Sequence, residues 1–257
     1  MELNLKNRRV LVTGASRGIG LAISRRFLAE GAKVAMIART LETLETVENS
    51  FEDIFPKENI FKVACDVRDE KNLNKAVKDV ISTFGGIDIL IANVGDGRSV
   101  SEPLPDRVSF ENTWRANFST AENVVREVSP ELTKSSGNII FISSIAGLEA
   151  FGAPTDYSVA KAALIALSKN LARKLAPNIR VNCIAPGNVY FPGGSWDEKK
   201  QKDPDRIQRL IESTVPMKRF GSPDEIADLV LFLSSERASF ITGSCVIIDG
   251  GQTVGFH

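Results

Sequence analysis

The sequence is poor in the side chains that most often carry catalysis or bind metals. Among its 257 residues there is one histidine, His257, at the last position. A lone imidazole excludes Ser-His-Asp triads, histidine metal clusters and ordinary imidazole acid/base chemistry within one chain. The three cysteines, Cys65, Cys183 and Cys245, are far apart, with no CxxC and no metal spacing. They read as small buried hydrophobes in a reducing compartment. Net charge is lacking too, since 32 Lys+Arg balance 32 Asp+Glu. No surplus of cations is present to neutralise a phosphate backbone, which argues against nucleic acid as the main partner. No apolar run approaches the ~18 residues that span a bilayer. The first residues, MELNLKNRRV, lack the apolar stretch of a signal peptide. The expectation is a soluble, cytoplasmic protein without membrane partner or metal. Any chemistry must come from other side chains.

What is present is a regular alternation. Short apolar runs at Arg9–Thr13, Val34–Ala38, Ile60–Ala64, Ile87–Ala92, Ile139–Ile142, Arg180–Ile184 and Cys245–Ile248 read as strands. Between them lie amphipathic stretches, among them Ile19–Glu30, stopped by Gly31, and Leu41–Phe55. Strands that are continuously apolar, alternating with helices, predict a doubly wound parallel sheet covered on both faces, an α/β fold. No repeat or linker divides the chain, so one domain is expected. Residues 186–223 break the pattern with five of the eleven prolines and a mixed-charge run, Asp197 to Asp203. This is either a long surface loop or, as favoured here, a lid over a ligand at about 188–217.

Two constellations carry chemistry. The first is Thr13-Gly14-Ala15-Ser16-Arg17-Gly18-Ile19-Gly20, between an apolar strand and an amphipathic helix. Glycines there let a pyrophosphate approach backbone N–H groups, and the helix N-terminus adds positive potential. That placement predicts a dinucleotide site. The second strand ends in Ile37-Ala38-Arg39-Thr40, with no carboxylate for a ribose 2′-hydroxyl. Arg39 and Arg17 would instead pair with a 2′-phosphate, so NADP(H) is expected over NAD(H). The bland alternative for Arg39 is a solvated residue at a helix start. The second constellation is Tyr157-Ser158-Val159-Ala160-Lys161. On a helix, residues four apart share a face. A phenol of pKa ~10 is a poor acid at neutral pH, and a neighbouring ammonium or nicotinamide cation would lower it. This pair can replace the absent histidine.

These motifs, with Asn93-Val94-Gly95, a serine thirteen residues before Tyr157, Pro186-Gly187, Ile241-Thr242-Gly243 and Asp249-Gly250-Gly251, occur in order along nearly the whole chain. In that combination the sequence resembles the short-chain dehydrogenase/reductase family. The resemblance implies a single Rossmann-like domain and hydride transfer between a nicotinamide and a carbonyl or secondary alcohol. It makes Tyr157 the acid/base and gives Lys161 the nicotinamide ribose. It assigns the substrate oxygen to Ser144, with Ser143 as near alternative, and a water relay to Asn117. It adds Gly14, Ser16, Arg17, Gly18, Ile19, Gly20 and Arg39 to the cofactor site. It also places Asp66 and Val67 at the adenine, Asn93 and Gly95 along the cleft, and Pro186, Gly187 and Val189 at the carboxamide. The loop after Gly187 departs from the family, with Asn188-Val189-Tyr190-Phe191-Pro192 where a threonine is expected.

The subgroups resembled are 3-oxoacyl-[acyl-carrier-protein] reductases and sugar, polyol and steroid dehydrogenases. Ser135-Ser136 and Pro177-Asn178 stand where carrier-protein enzymes place arginines, although Arg173, Lys174 and Arg180 are close by. A free small-molecule carbonyl or alcohol therefore ranks first, with Tyr190, Phe191 and Trp196 as apolar walls. A carrier-bound 3-oxoacyl substrate is second, and a non-catalytic NADPH-binding sensor belongs to another class. Stripes at Ala160, Ala163, Leu164, Leu167 and Leu171, and at Phe110, Trp114, Ala121 and Val125, are either core or, as the resemblance implies, faces pairing copies into a homodimer or homotetramer.

Overall fold

The computed structural model describes residues 2–51, 53–100 and 102–256; His257 lies outside them. Seven strands form one parallel sheet in the order β3-β2-β1-β4-β5-β6-β7. They are β1 Arg9–Thr13, β2 Lys33–Ala38, β3 Ile60–Ala64, β4 Ile89–Ala92, β5 Asn138–Ile142, β6 Arg180–Pro186 and β7 Cys245–Ile248. The helices that return the chain are α1 Gly18–Ala29, α2 Leu41–Asn49, α3 Glu70–Phe84, α4 Arg107–Trp114, α5 Thr120–Ser135, α6 Thr155–Leu175, α7 Ser195–Lys202, α8 Pro204–Thr214 and α9 Pro223–Ser234. Among the described residues no helix is long and apolar enough to cross a membrane.

The continuous apolar strands follow from burial on both faces. In β1, Val10 and Val12 join Phe27 of α1 and Val230 of α9 on one side of the sheet. Leu11, between them, joins Leu73 of α3, Val128 of α5 and Leu164 of α6 on the other. Each such side chain contributes about 1.5–3 kcal/mol through removal from water. The sandwich is thus fixed by period-two alternation with no polar face. Cys65 and Cys183 are buried, as expected of small hydrophobes, while Cys245 on the edge strand β7 is half-buried.

Helix ends follow local chemistry. Asp69 caps α3 by accepting from the N–H groups of Lys71 and Asn72, and Gly85 ends it at φ 78°. α9 opens with Pro223 inside a Ser222–Glu225 capping box. α1 differs: Arg17 precedes it in extended conformation, no side chain caps it, and its first turn holds no acid. Its first turn borders the cleft described below, which Arg17 and Ile19 line.

One expectation changes. The second helix stops at Asn49, not Phe55, because the Ser50 hydroxyl bonds the Val47 carbonyl at 2.6 Å. Phe51 and Phe55 then pack edge to face, with centroids 5.4 Å apart. The proline-rich stretch after β6 is not a plain loop, since it contains α7 and α8. Within the α6 stripe, Ala160 and Leu164 are core residues, as are Ala121 and Val125 of α5.

Candidate active site

Neighbouring strands β1 and β4 send their following chain to opposite faces of the sheet, so a crevice opens at their carboxyl ends. There the structure has a cleft of about 420 Å³ running from Arg39 to Trp196. At one end the glycine-rich turn is shaped by steric necessity. A Cβ on Gly20 would lie 2.2 Å from the Gly14 carbonyl oxygen, and Gly14 and Gly18 have φ of +66° and +54°. Asn93 staples this turn to β4, donating Nδ2–H to the carbonyls of Thr13 at 3.0 Å and Gly14 at 3.3 Å. Gly14, Ser16, Arg17 and Ile19 line the cleft. Gly18 and Gly20 do not; they permit close packing, Gly18 beneath the ring of Phe191.

Further along, Arg39, Asp66, Val67 and Arg68 line the same end. Arg68 grips Asp66 with Nε at 2.9 Å and Nη2 at 2.5 Å. That hydrogen bonding, with the nearby charge of Arg39, holds the Asp66 carboxyl below its usual range. Sequence reading passed over Arg68; its signal was a guanidinium two residues beyond an expected adenine contact.

At the other end of the cleft stands Tyr157, in the first turn of α6. Asp156 fixes that turn, its carboxylate accepting from the Tyr157 N–H at 2.8 Å and the Ser99 hydroxyl at 2.6 Å. One turn on, Lys161 is 3% exposed, its Nζ 5.7 Å from the Tyr157 ring centre and donating to the Ile142 carbonyl at 3.1 Å. Burial pushes the Lys161 ammonium down to about 8. Burial pushes the Tyr157 phenol up; a hydrogen bond with Ser144 opposes this and the Asp96 charge adds to it. Geometry also separates the two serines. Ser143 gives its hydroxyl to the Lys161 carbonyl at 2.8 Å, so it ties α6 to β5, while Ser144 lines the cleft with Tyr157 and accepts from the Ala146 N–H at 3.2 Å.

Asn117 sits in a π-helical turn, Arg115–Ser119, between α4 and α5. Such a turn re-aims a side chain within a helix. Fully buried, it clamps the backbone of Asp96, accepting from its N–H and donating to its carbonyl, both at 3.0 Å. A Cβ at Gly95 would lie 2.8 Å from Lys161 Nζ and 3.0 Å from Asn117 Oδ1, so glycine there lets the two groups converge. Asn117 stands behind the cleft wall and does not line it.

Pro186, Gly187 and Val189 line the remaining wall, although Gly187 is pressed against Asp249. Asp96, Gly97 and Arg98 also line the cleft and were missed by sequence reading. Asp96-Gly97-Arg98 follows Gly95 directly, and its charge alternation was the available signal.

A crevice at a sheet's switch point, an uncapped helix behind a glycine turn, and a phenol–ammonium pair at the far end define a dinucleotide-binding oxidoreductase fold. The family model described as enoyl-(acyl carrier protein) reductase matches residues 14–253. The chain belongs to the short-chain dehydrogenase/reductase family, whose members act as oxidoreductases on carbonyl and CH–OH groups. It is 34% identical to the 3-oxoacyl-[acyl-carrier-protein] reductase MabA of Mycobacterium bovis, over 97% of this chain and 94% of that one. It superposes on L-sorbose reductase from Gluconobacter frateurii, solved with NADPH and L-sorbose, with TM-score 0.91, 33% identity and 98% of both chains covered. It superposes on a 7α-hydroxysteroid dehydrogenase, solved with NADH and 7-oxo glycochenodeoxycholic acid, with TM-score 0.88, 29% identity, and 99% of this chain and 98% of that one covered.

Proposed function

We propose that the protein is an NADP(H)-dependent reductase of a small, free carbonyl compound, and the dehydrogenase of the corresponding alcohol. The observation that carries this is one continuous cleft lined by Arg39, Asp66 and Val67 at one end and by Tyr157, Ser144 and Lys161 at the other, with the glycine turn along its wall. The cleft fits a dinucleotide. The glycine turn leaves no side chain at Gly14, Gly18 or Gly20, and the uncapped N-terminus of α1 suits a pyrophosphate. Gly14, Ser16, Arg17 and Ile19 would hold the phosphates, Arg39 a 2′-phosphate, and Val67 the adenine. Asn93, Gly95, Lys161, Pro186, Gly187 and Val189 would hold the nicotinamide riboside. When bound, the nicotinamide supplies or accepts the hydride.

The chain's own residues do the rest. Tyr157 gives a proton to the carbonyl oxygen during reduction and takes it back during oxidation. Ser144 donates a hydrogen bond to the same oxygen as charge develops. Lys161, fully buried, places a positive charge near the phenol, and Asn117 fixes the strand-end segment that Lys161 packs against. Ser143 anchors the helix that carries Tyr157 and Lys161.

Similarity to MabA favours a second reading, a carrier-bound 3-oxoacyl substrate. The free-substrate reading ranks first because the nearby cations do not line this cleft. Arg180 donates to the carbonyls of Ile241, Leu233 and Ser235 at the amino end of β6. Arg173 lies sixteen residues along α6 from Tyr157, about 24 Å away. Following the reduced-nicotinamide absorbance with a panel of ketones, ketoses and 3-oxoacyl thioesters tests this. Turnover of free ketones well above that of acyl-carrier thioesters is the expected result. Turnover only of carrier-bound thioesters favours the second reading, and none with any carbonyl overturns both.

A further inference from the structure

Phe191, Gly194, Ser195 and Trp196 of the segment 191–202 line the cleft together with Tyr157, and one other lining side chain, Arg98, holds that segment. Arg98 directs Nε and Nη2 to the two carboxylate oxygens of Glu198 on α7, at 3.2 and 2.5 Å. Nη2 also donates to the Gly193 carbonyl at 3.3 Å. Nη1 bonds Asp96 at 3.1 Å, and the Arg98 N–H bonds the same carboxylate oxygen at 3.0 Å. A guanidinium fork makes these bonds together; an ammonium cannot. The near end of the segment is braced separately. Asp197 accepts from the Tyr190 hydroxyl at 2.7 Å and from the Gly193 N–H at 2.8 Å. Trp196 packs on Phe220 with ring centres 5.5 Å apart.

Asp96 is also the residue whose backbone Asn117 clamps. Buried Asn117, Asp96, Arg98 and Glu198 thus form a chain of bonds from the floor of the site to α7. We propose that Arg98 is a positioning residue that holds segment 191–202 over the cleft through Glu198 and Gly193 and so governs how long ligands stay. Arg98 and Glu198 side chains are 38% and 49% exposed, so the bond is weak enough to break in each cycle. Arg17 of the glycine turn donates to the same Gly193 carbonyl at 3.1 Å, so the lid is held from both walls.

The test is a double-mutant cycle with Arg98→Ala, Glu198→Ala and the combination, supported by the milder Glu198→Gln. Hydrogen exchange in the protein without added ligand reads the lid directly. Exchange of the amides in 195–202 should quicken about five-fold in each single variant, the order of one exposed pair, and no further in the double. With NADPH and whichever carbonyl is turned over, KM should rise by a similar factor and kcat change less. Unchanged exchange in 195–202, or effects that simply add in the double variant, overturns the proposal. The exchange measurement stands apart from the proposed reaction, so a wrong substrate assignment leaves it intact.

Discussion

The two ends of the same sheet use similar residues to different effect. At the amino ends of the strands, Arg9 binds buried Asp88 through its Nε at 2.9 Å and its Nη2 at 2.5 Å, and its Nη1 donates to the Gly85 carbonyl at 2.7 Å. Arg180 there satisfies three carbonyls, and the Asn138 amide N–H satisfies that of Leu233 at 2.9 Å. These donors are committed to the protein itself. At the carboxyl ends, the Tyr157 hydroxyl, the Lys161 ammonium and the Arg39 guanidinium face one cleft. A polar group bound only to its own fold stabilises that fold; one aimed into a cleft keeps capacity for a ligand. Residue type alone does not separate Arg180 from Arg39.

Four substitutions or titrations sharpen this contrast. The largest effect is expected from Tyr157→Phe at the open end. Turnover should fall by about 10²–10⁴, the usual worth of a positioned general acid, with the melting temperature little changed. Wild-type turnover in that variant would remove the phenol from the mechanism. At the closed end, Asp88→Asn should cost stability and leave KM for cofactor unchanged. Loss of a largely buried, charge-assisted pair there should cost about 2 kcal/mol by denaturant unfolding. Burial pushes the Asp88 carboxyl up, but the hydrogen bonds and charge of Arg9 outweigh it and hold the carboxyl below its usual range. A depressed folded-state pKa contributes stability that is present above the unfolded value of about 3.9 and is lost as pH falls through the folded one. The stability gap between wild type and variant should therefore close in acid; a gap independent of pH contradicts the assignment.

Next comes Arg39→Asp, which should lower NADPH preference over NADH by about ten-fold or more, the scale of one lost charge-assisted bond. Unchanged selectivity would return Arg39 to the role of a solvated helix-start residue. The smallest effect is a pH limb. Lys161 loses its proton near pH 8 in the free protein, so it is charged below that value and neutral above it. The kcat/KM for NADPH, varied at saturating carbonyl, should decline above about 8 if the charged form is required, since that ratio reports the enzyme without cofactor. A flat profile to pH 9.5 would show that this charge is dispensable.

Much of the cleft was readable because its steric demands recur locally. Gly14, Gly18 and Gly20 follow a strand and open a helix, and Tyr157 and Lys161 stand one turn apart on a helix. Such signals lie within a few residues of one another. Arg68, Asp96 and Arg98 were not legible, because their importance comes from which distant segments meet them. Glu198 is one hundred residues from its partner. The end of α2 at Asn49 escaped for a local reason, a serine hydroxyl competing with the helix backbone.

The sequence by itself determined the layering, because seven apolar runs separated by amphipathic helices leave no face of the sheet for water. Only the tertiary structure decided that the Ser143 hydroxyl holds a helix through the Lys161 carbonyl, and that Arg180 closes one end of the sheet while Arg39 opens on a cleft. The reason is that hydrogen bonding acts over about 3 Å. Two residues adjacent or alike in sequence acquire different chemistry when folding brings different partners within that reach.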